Sequence, residues 1–253
     1  SSFNIGANTF THTGSSFSGT VNGIGTIRMQ PVSGKTTFLG IVTPGMKIVS
    51  GTVSTGSSSV GGPLVIDSGA TLSLTGSFFA RGDVTVDGTI NQPSGTPIFY
   101  AVGNGTILNN GSVGTDVWFG PTSGTPVLQN LGGGGTWGRT GRTWYLMQRS
   151  TVTLLNDVAF PGSTIWVESP GVRMNTDAFT FSLPCNTVWQ STGEISGNIR
   201  RTNLAACPGS TLTFGNPFTT IQFTSGTPPT DIRVDTSSVA PLGFPNAVRR
   251  SYQ

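Results

Sequence analysis

The sequence predicts an all-β fold: a parallel β-solenoid over residues 1–183, followed by a small C-terminal β cap or appendage over residues 184–253. Three observations lead there. Glycine occurs 37 times and only 9% of the 253 residues are charged, against roughly 25% in an ordinary soluble domain. Helical windows are nearly missing, because Gly, Pro or a β-branched cluster interrupts the apolar patterns of period 3.6. Short alternating runs recur instead, each bounded by Gly, Asn, Asp or Pro.

The runs at 71–74, 84–86, 106–108, 117–119, 151–154, 164–167, 179–181 and 211–214 are only a few residues long. Alternation places Leu, Ile, Val or Phe on one side and Thr or Ser on the other, because strand side chains switch sides at every residue. Strands this short make a poor open sandwich. They suit a solenoid, in which each turn of chain adds a few residues to long parallel sheets. The corners agree: Asp67-Ser68-Gly69-Ala70, Asp87-Gly88, Asn104-Gly105, Asn110-Gly111 and Pro161-Gly162-Ser163 supply residues that tolerate positive φ. The phrase Ser-Gly-Thr-Pro returns at 94–97, 123–126 and 225–228 without a fixed period. The repeat is therefore degenerate, and coils of roughly 20–25 residues would number about ten.

From Pro184 the texture changes. Both cysteines, the Arg200-Arg201 pair and Pro208, Pro217, Pro228, Pro229, Pro241 and Pro245 lie beyond it. Proline cannot donate to a sheet ladder, so this stretch reads as a cap over the last coil, whose open edge would otherwise attract another chain. Cys185 and Cys207 are a disulfide candidate for an oxidising compartment; the alternative is two buried free thiols.

Charge excludes several classes. Thirteen Lys and Arg against ten Asp and Glu leave a net charge of +3, spread thinly, with adjacent basic pairs only at 200–201 and 249–250. Nucleic-acid binding needs a concentrated basic face, so it is not expected. No run of eighteen apolar residues exists, so membrane insertion is not expected either. The opening residues lack a basic segment followed by an apolar stretch, which suggests a mature product or an excised piece.

Several phrases resemble a known family. Asn8-Thr9-Phe10-Thr11, Gly23-Ile24-Gly25-Thr26-Ile27, Ile66-Asp67-Ser68-Gly69-Ala70-Thr71-Leu72 and Val84-Thr85-Val86-Asp87-Gly88-Thr89-Ile90 are similar to β-helical stretches of giant secreted, adhesin-like surface proteins of Bacteroidota-type bacteria. Val152-Thr153-Leu154-Leu155-Asn156-Asp157-Val158 resembles their repeated coil. The resemblance covers most of residues 1–183 and implies a right-handed parallel β-helix within a longer, extracellular, cell-surface chain. The ending at 246–253 reads as a lead-in to a further strand.

Catalytic motifs are matched only in fragments. Asn175-Thr176-Asp177 resembles a signature of β-helical polygalacturonases, which use paired carboxylates. The remainder of that pattern, an Asp-Asp pair, Gly-His-Gly and Arg-x-Lys, is missing. The phrase reads as an Asn/Asp corner. His12 is the only histidine, so neither a Ser-His-Asp triad nor the usual zinc site can be assembled convincingly. Asp67, Asp83 and Asp87 form a candidate Ca²⁺ cluster, weighed against ordinary turn aspartates. Gly133-Gly134-Gly135-Thr136-Trp137-Gly138 fits a dinucleotide fingerprint in form but has no βαβ unit around it. Arg81-Gly82-Asp83 matches an integrin-binding tripeptide, although it lies between two strand-like runs and reads as a tight turn. Asn104 and Asn110 fit the N-glycosylation pattern and equally fit Asn-Gly turns.

Two surfaces offer binding. Trp118, Phe119, Trp137, Trp144, Tyr145, Trp166 and Trp189 crowd one stretch of the chain. They read first as core rungs; if exposed in a row, Trp118, Trp137, Trp144 and Trp166 could stack on sugar rings. The pairs Thr71/Ser73, Thr151/Thr153 and Thr211/Thr213 resemble the flat Thr faces of ice-binding solenoids. The leading expectation is a non-enzymatic structural module without a cofactor or metal: a stalk, adhesin segment or filament subunit that contacts itself or neighbouring modules. A carbohydrate-binding or carbohydrate-cleaving β-helix and an ice-binding solenoid are the alternatives.

Overall fold

The computed structural model describes residues 2–121, 125–138, 141–168, 172–191, 193–236 and 250–252. It is an all-β molecule, 57% strand, whose parallel sheets stack into a β-solenoid of about 9 turns. At about 4.8 Å per turn the stack rises roughly 43 Å.

Each middle coil contributes one short strand to each of three faces. The first face runs Thr9–His12, Thr26–Met29, Gly45–Ile48, Leu64–Ile66, Val84–Val86, Gly105–Asn109, Val127–Gly132, Ser150–Leu154, Arg173–Pro184 and Glu194–Thr202. The second contains Thr52–Thr55, Thr71–Leu74, Thr89–Asn91, Ser112–Gly114 and Thr136–Trp137. The third contains Ser58–Val60, Phe78–Ala80, Ile98–Ala101, Asp116–Phe119, Thr143–Leu146, Thr164–Val167 and Val188–Ser191. Lys35–Val42 joins the last two, pairing with Thr52–Thr55 through its first half and with Ser58–Val60 through its end.

Parallel, in-register pairing turns the alternating pattern into columns. Ile27, Met46, Leu64, Val84, Ile107, Leu131 and Leu154 are consecutive partners inside the first face. All seven are buried, and the column excludes water along the axis. Phe78, Phe99, Val117, Trp144, Ile165 and Trp189 form the matching column of the third face.

Aspartate and asparagine at the corners tie coil to coil. The backbone N–H of Thr106 donates to Asp83 Oδ1, that of Thr143 to Asp116 Oδ1 and that of Thr180 to Asp157 Oδ1, each at 2.8 Å. Asn104 accepts from Leu128 N–H at 2.8 Å and Asn156 from Gly133 N–H at 2.6 Å. Corners this close need glycine at specific places. A Cβ at Gly133, with φ 97°, would lie 2.2 Å from the carbonyl oxygen of Asn109.

Parallel stacking continues beyond residue 183, where the sequence places the change of texture. Val188–Ser191 and Glu194–Thr202 still pair parallel with the coil below. The direction reverses only at Asp231–Thr236, which pairs antiparallel with Glu194–Thr202 and is followed by Arg250–Tyr252. A separate antiparallel hairpin, Thr211–Phe214 with Asn216–Gln222, places Leu212 and Phe214 in the core. Alternation carries the coil pattern on: Ile195, Ile199 and the long side chain of Arg201 point inward like any coil residue. The lead-in predicted at 246–253 falls largely outside the described residues.

Cys185 and Cys207 form a disulfide, with Cα atoms 6.1 Å apart and a sequence separation of 22. It joins the end of the long strand Arg173–Pro184 to the turn after Leu204–Ala206. Beside it the guanidinium of Arg201, 1% exposed, donates to the carbonyl oxygens of Pro184, Thr187 and Thr213, each at 2.9 Å. Burial pushes its pKa down to about 10. The bond and the guanidinium together fasten the hairpin to the last coil.

Candidate functional site

The outward positions of the third face carry an aromatic column. Phe79, Tyr100, Trp118, Tyr145 and Trp166 are consecutive register partners. Phe79 and Tyr100 stack with centroids 4.4 Å apart and planes 11° apart. Trp118 and Tyr145 stack at 4.3 Å and 18°, and Tyr145 and Trp166 at 5.5 Å and 27°. Tyr100 meets Trp118 edge-on at 5.2 Å and 62°. The spacing follows from the fold, since strands about 4.8 Å apart hold like residues at nearly the offset-stacking distance.

Polar groups flank the column. Ser77 hydrogen-bonds the Tyr100 phenol, and burial nonetheless raises its pKa. Burial also raises that of Tyr145, and the charge and hydrogen bond of Glu168 beside it add to the effect. A second carboxylate oxygen role belongs to the backbone: Glu168 Oε2 accepts Gln148 N–H at 2.6 Å.

This geometry corrects the tryptophan expectation. Trp137 and Trp144 are 2% and 0% exposed, buried in the core, with centroids 5.3 Å apart. Trp144 also meets Phe119, Phe160 and Phe181. Neither can reach a glycan. Trp118 and Trp166 do point outward, with Trp166 39% exposed. Even so, each of the five column residues stacks face to face with a neighbour, so the faces between Phe79 and Tyr100 and from Trp118 to Trp166 are covered, and only the side of Phe79 turned to Ser59 carries no ring.

The column has one gap. Below Phe79 the next partner is Ser59 and the one below that is Ile41. A solvent-open depression of about 300 Å³ lies there, lined by Ile41, Ser57, Ser58, Ser59, Phe79 and Arg81.

The other candidates separate in space. Asp67 pairs with Lys47 at 3.1 Å, Asp83 holds Thr106 N–H, and Asp87 accepts from Asn110 Nδ2 at 2.9 Å. Asp67, Asp83 and Asp87 do not converge: no group of three metal-ligating side chains is found among the described residues. Arg81-Gly82-Asp83 is a corner packed on the coil below, where a Cβ on Gly82 would lie 2.8 Å from Gly62 backbone. Asn175-Thr176-Asp177 is a bulge at which the pairing register shifts, with Asp177 at φ 49° and Thr176 Oγ1 accepting Asn198 N–H at 2.6 Å. Gly133 and Gly135 are close-packed corner residues against the coil containing Asn109 and Gly111. His12 Nε2 lies 3.4 Å from Thr36 Oγ1, with its ring against Phe17.

The threonine pairs occupy three separate surfaces. Thr71/Ser73 lies on the second face, Thr151/Thr153 on the first and Thr211/Thr213 on the hairpin. The second face does carry one column that sequence inspection missed: Thr52, Thr71, Thr89, Ser112 and Thr136 are consecutive partners. Its neighbouring column runs Ser54, Ser73, Asn91 and Gly114, so a doubled Thr array does not form.

No helix is long and apolar enough to cross a membrane among the described residues. Comparison with known protein families, with curated proteins and with solved structures finds no match.

Proposed function

We propose that this chain is a non-enzymatic structural module, a stiff stalk or adhesin segment of an extracellular surface protein. One observation carries the reading: columns of paired residues run through consecutive coils and meet a fastened cap at the C-terminal end. Internal apolar columns, the outward aromatic column and corner-to-corner hydrogen bonds all act along the same axis. Bending or peeling must break several of them together, which suits a load-bearing segment.

The use of the acidic residues supports the non-enzymatic reading. Asp83, Asp116 and Asp157 each hold a backbone N–H of the next coil. The disulfide fits an oxidising compartment. The last coil is covered by antiparallel strands, which favours a stalk segment over end-to-end growth of an open filament.

Incubation with a panel of plant, bacterial and host polysaccharides, with reducing ends and unsaturated products measured, tests the reading. No release is expected; reproducible release by the protein, lost on heat denaturation, would overturn it. Light scattering at rising concentration should give a species of constant mass, and continuous growth would favour the filament.

A further inference from the structure

We infer that the depression below Phe79 is a binding site for one six-membered ring that carries a carboxylate, specifically a uronic acid residue of a glycan. The outward column is continuous from Phe79 to Trp166 and interrupted at Ser59, beyond which Ile41 resumes an apolar surface. Ile41 and Phe79 are two rungs apart, about 9.6 Å along the axis, which leaves one rung about 4.8 Å from each. Phe79 already keeps 4.4 Å from Tyr100 on its upper side. A ring lying over Ser59 would meet the lower face of Phe79 at similar separation and Ile41, 52% exposed, on its other side.

The volume and lining select the ligand. About 300 Å³ is at the small end of small-molecule sites, enough for one ring rather than a bound chain. Phe79 presents a negatively polarised face suited to the C–H groups of a pyranose. Ser57 and Ser59 offer hydroxyls for a sugar's own hydroxyls. Arg81 stands at the rim, exposed, and no carboxylate lies within ion-pair distance of it among the described residues. The nearest acid in sequence, Asp83, holds the Thr106 N–H through Oδ1. A guanidinium without an acidic partner, beside a slot for a ring, favours an anionic sugar over a neutral one, because charge-assisted hydrogen bonds are the stronger.

The experiment compares a trimer of β-1,4-linked glucuronic acid with cellotriose, which has the same rings and linkages but no carboxylate. Binding is followed by shifts of backbone amide resonances and by calorimetry on the whole chain. Millimolar or tighter binding of the uronate is expected, with resonances of Ser57, Ser59 and Arg81 moving and those of Thr71 and Thr89 staying still. Ser59→Trp inserts the missing rung, should keep the fold, and should weaken uronate binding at least about tenfold, or by about 1.4 kcal/mol. Arg81→Gln should leave cellotriose binding unchanged and bring the preference for uronate close to one. Raising salt should reduce the same preference. No uronate binding with the trimer at about 10 mM, tenfold above the millimolar level expected, would overturn the inference. So would binding unaffected by either substitution, or binding of benzoate without binding of the uronate. The structural reading of the rod survives any of those results, since it rests on the ladder and the cap.

Discussion

Asp83 of one coil and Thr106 of the next, 23 residues on, are joined by a hydrogen bond of 2.8 Å from the backbone N–H to Oδ1. The same bond recurs from Thr143 to Asp116 and from Thr180 to Asp157. Each donor lies one residue before the first register pair with the coil below, at Ile107, Trp144 and Phe181, so a side-chain oxygen from that coil takes the place of a ladder carbonyl. Asp83→Ala should therefore lower stability by about 1 kcal/mol, within the usual net worth of one hydrogen bond. Asp83→Asn should recover most of it, because Asn104 performs the same task for Leu128. Urea midpoints would measure both; equal losses in the two variants would deny the acceptor role.

Inside and outside aromatic positions should differ sharply. Trp144 meets Phe119, Trp137, Phe160 and Phe181 and is 0% exposed. Its replacement by Ala removes a large buried ring and leaves a cavity, costing about 3–5 kcal/mol. Trp118, outward and stacked on Tyr145, should cost at most about 1.5 kcal/mol, the worth of an aromatic pair. Chemical denaturation of the two variants under one set of conditions decides the point. A similar loss for both would mean the column also acts as a core.

These contrasts also mark what was legible in the sequence. Runs such as Thr71–Leu74 and Val84–Val86 show their inner and outer sides by alternation alone. The column from Phe79 to Trp166 does not, because its members are 21, 18, 27 and 21 residues apart. Corner lengths vary between coils, so no fixed period brings the rings together; only the strand register does. Trp137 and Trp144 are separated by one corner and lie on adjacent faces, both pointing inward. Arg201 was hidden for another reason. Beside Arg200 it resembles half of a solvated basic pair, yet alternation sends one arginine out to Asp231 and the other into the core.

Arg201 should be indispensable to the cap. Its guanidinium satisfies three carbonyl oxygens, those of Pro184, Thr187 and Thr213, that belong to the last coil and the hairpin. Arg201→Met keeps much of the volume but leaves those acceptors unpaired, at a cost of about 2 kcal/mol or more. Hydrogen exchange should speed up at 211–214 and 216–222 while 71–74 stays protected. Uniform acceleration along the chain would contradict a local clamp.

Acid should loosen the reversing strand. Arg200 Nη2 lies 2.6 Å from Asp231 Oδ2, and that hydrogen bond lowers the Asp231 pKa below its ordinary value. The unfolded chain then binds the proton more readily than the folded one. The contribution is complete above the ordinary carboxylate pKa and is lost as pH falls through the lowered folded value. Protection at Asp231–Thr236, taken as exchange relative to the intrinsic rate at each pH from 7 down to 2, should therefore fall at the acid end in the wild type. Asp231→Asn should flatten that change, and an unchanged acid response in the variant would assign it to other carboxylates.

Reduction of the Cys185–Cys207 bond separates the cap from the rod most cleanly. The bond closes a loop of 22 residues in sequence separation, for which chain entropy predicts about 3 kcal/mol. That energy acts on the segment between Pro184 and the hairpin, whereas the inner columns from Ile27 to Leu154 contain no covalent link. Cys185→Ser with Cys207→Ser should thus expose Leu204, Leu212 and Phe214, which pack into the core end. Proteolysis would be expected first between residues 203 and 231, leaving a resistant fragment that contains the earlier coils. Because the cap covers the last coil's edge, the same variant should also begin to associate through that end. A double variant that stays monomeric, and is cut no faster there than elsewhere, would show that Arg201 and the antiparallel strands hold the cap without the disulfide.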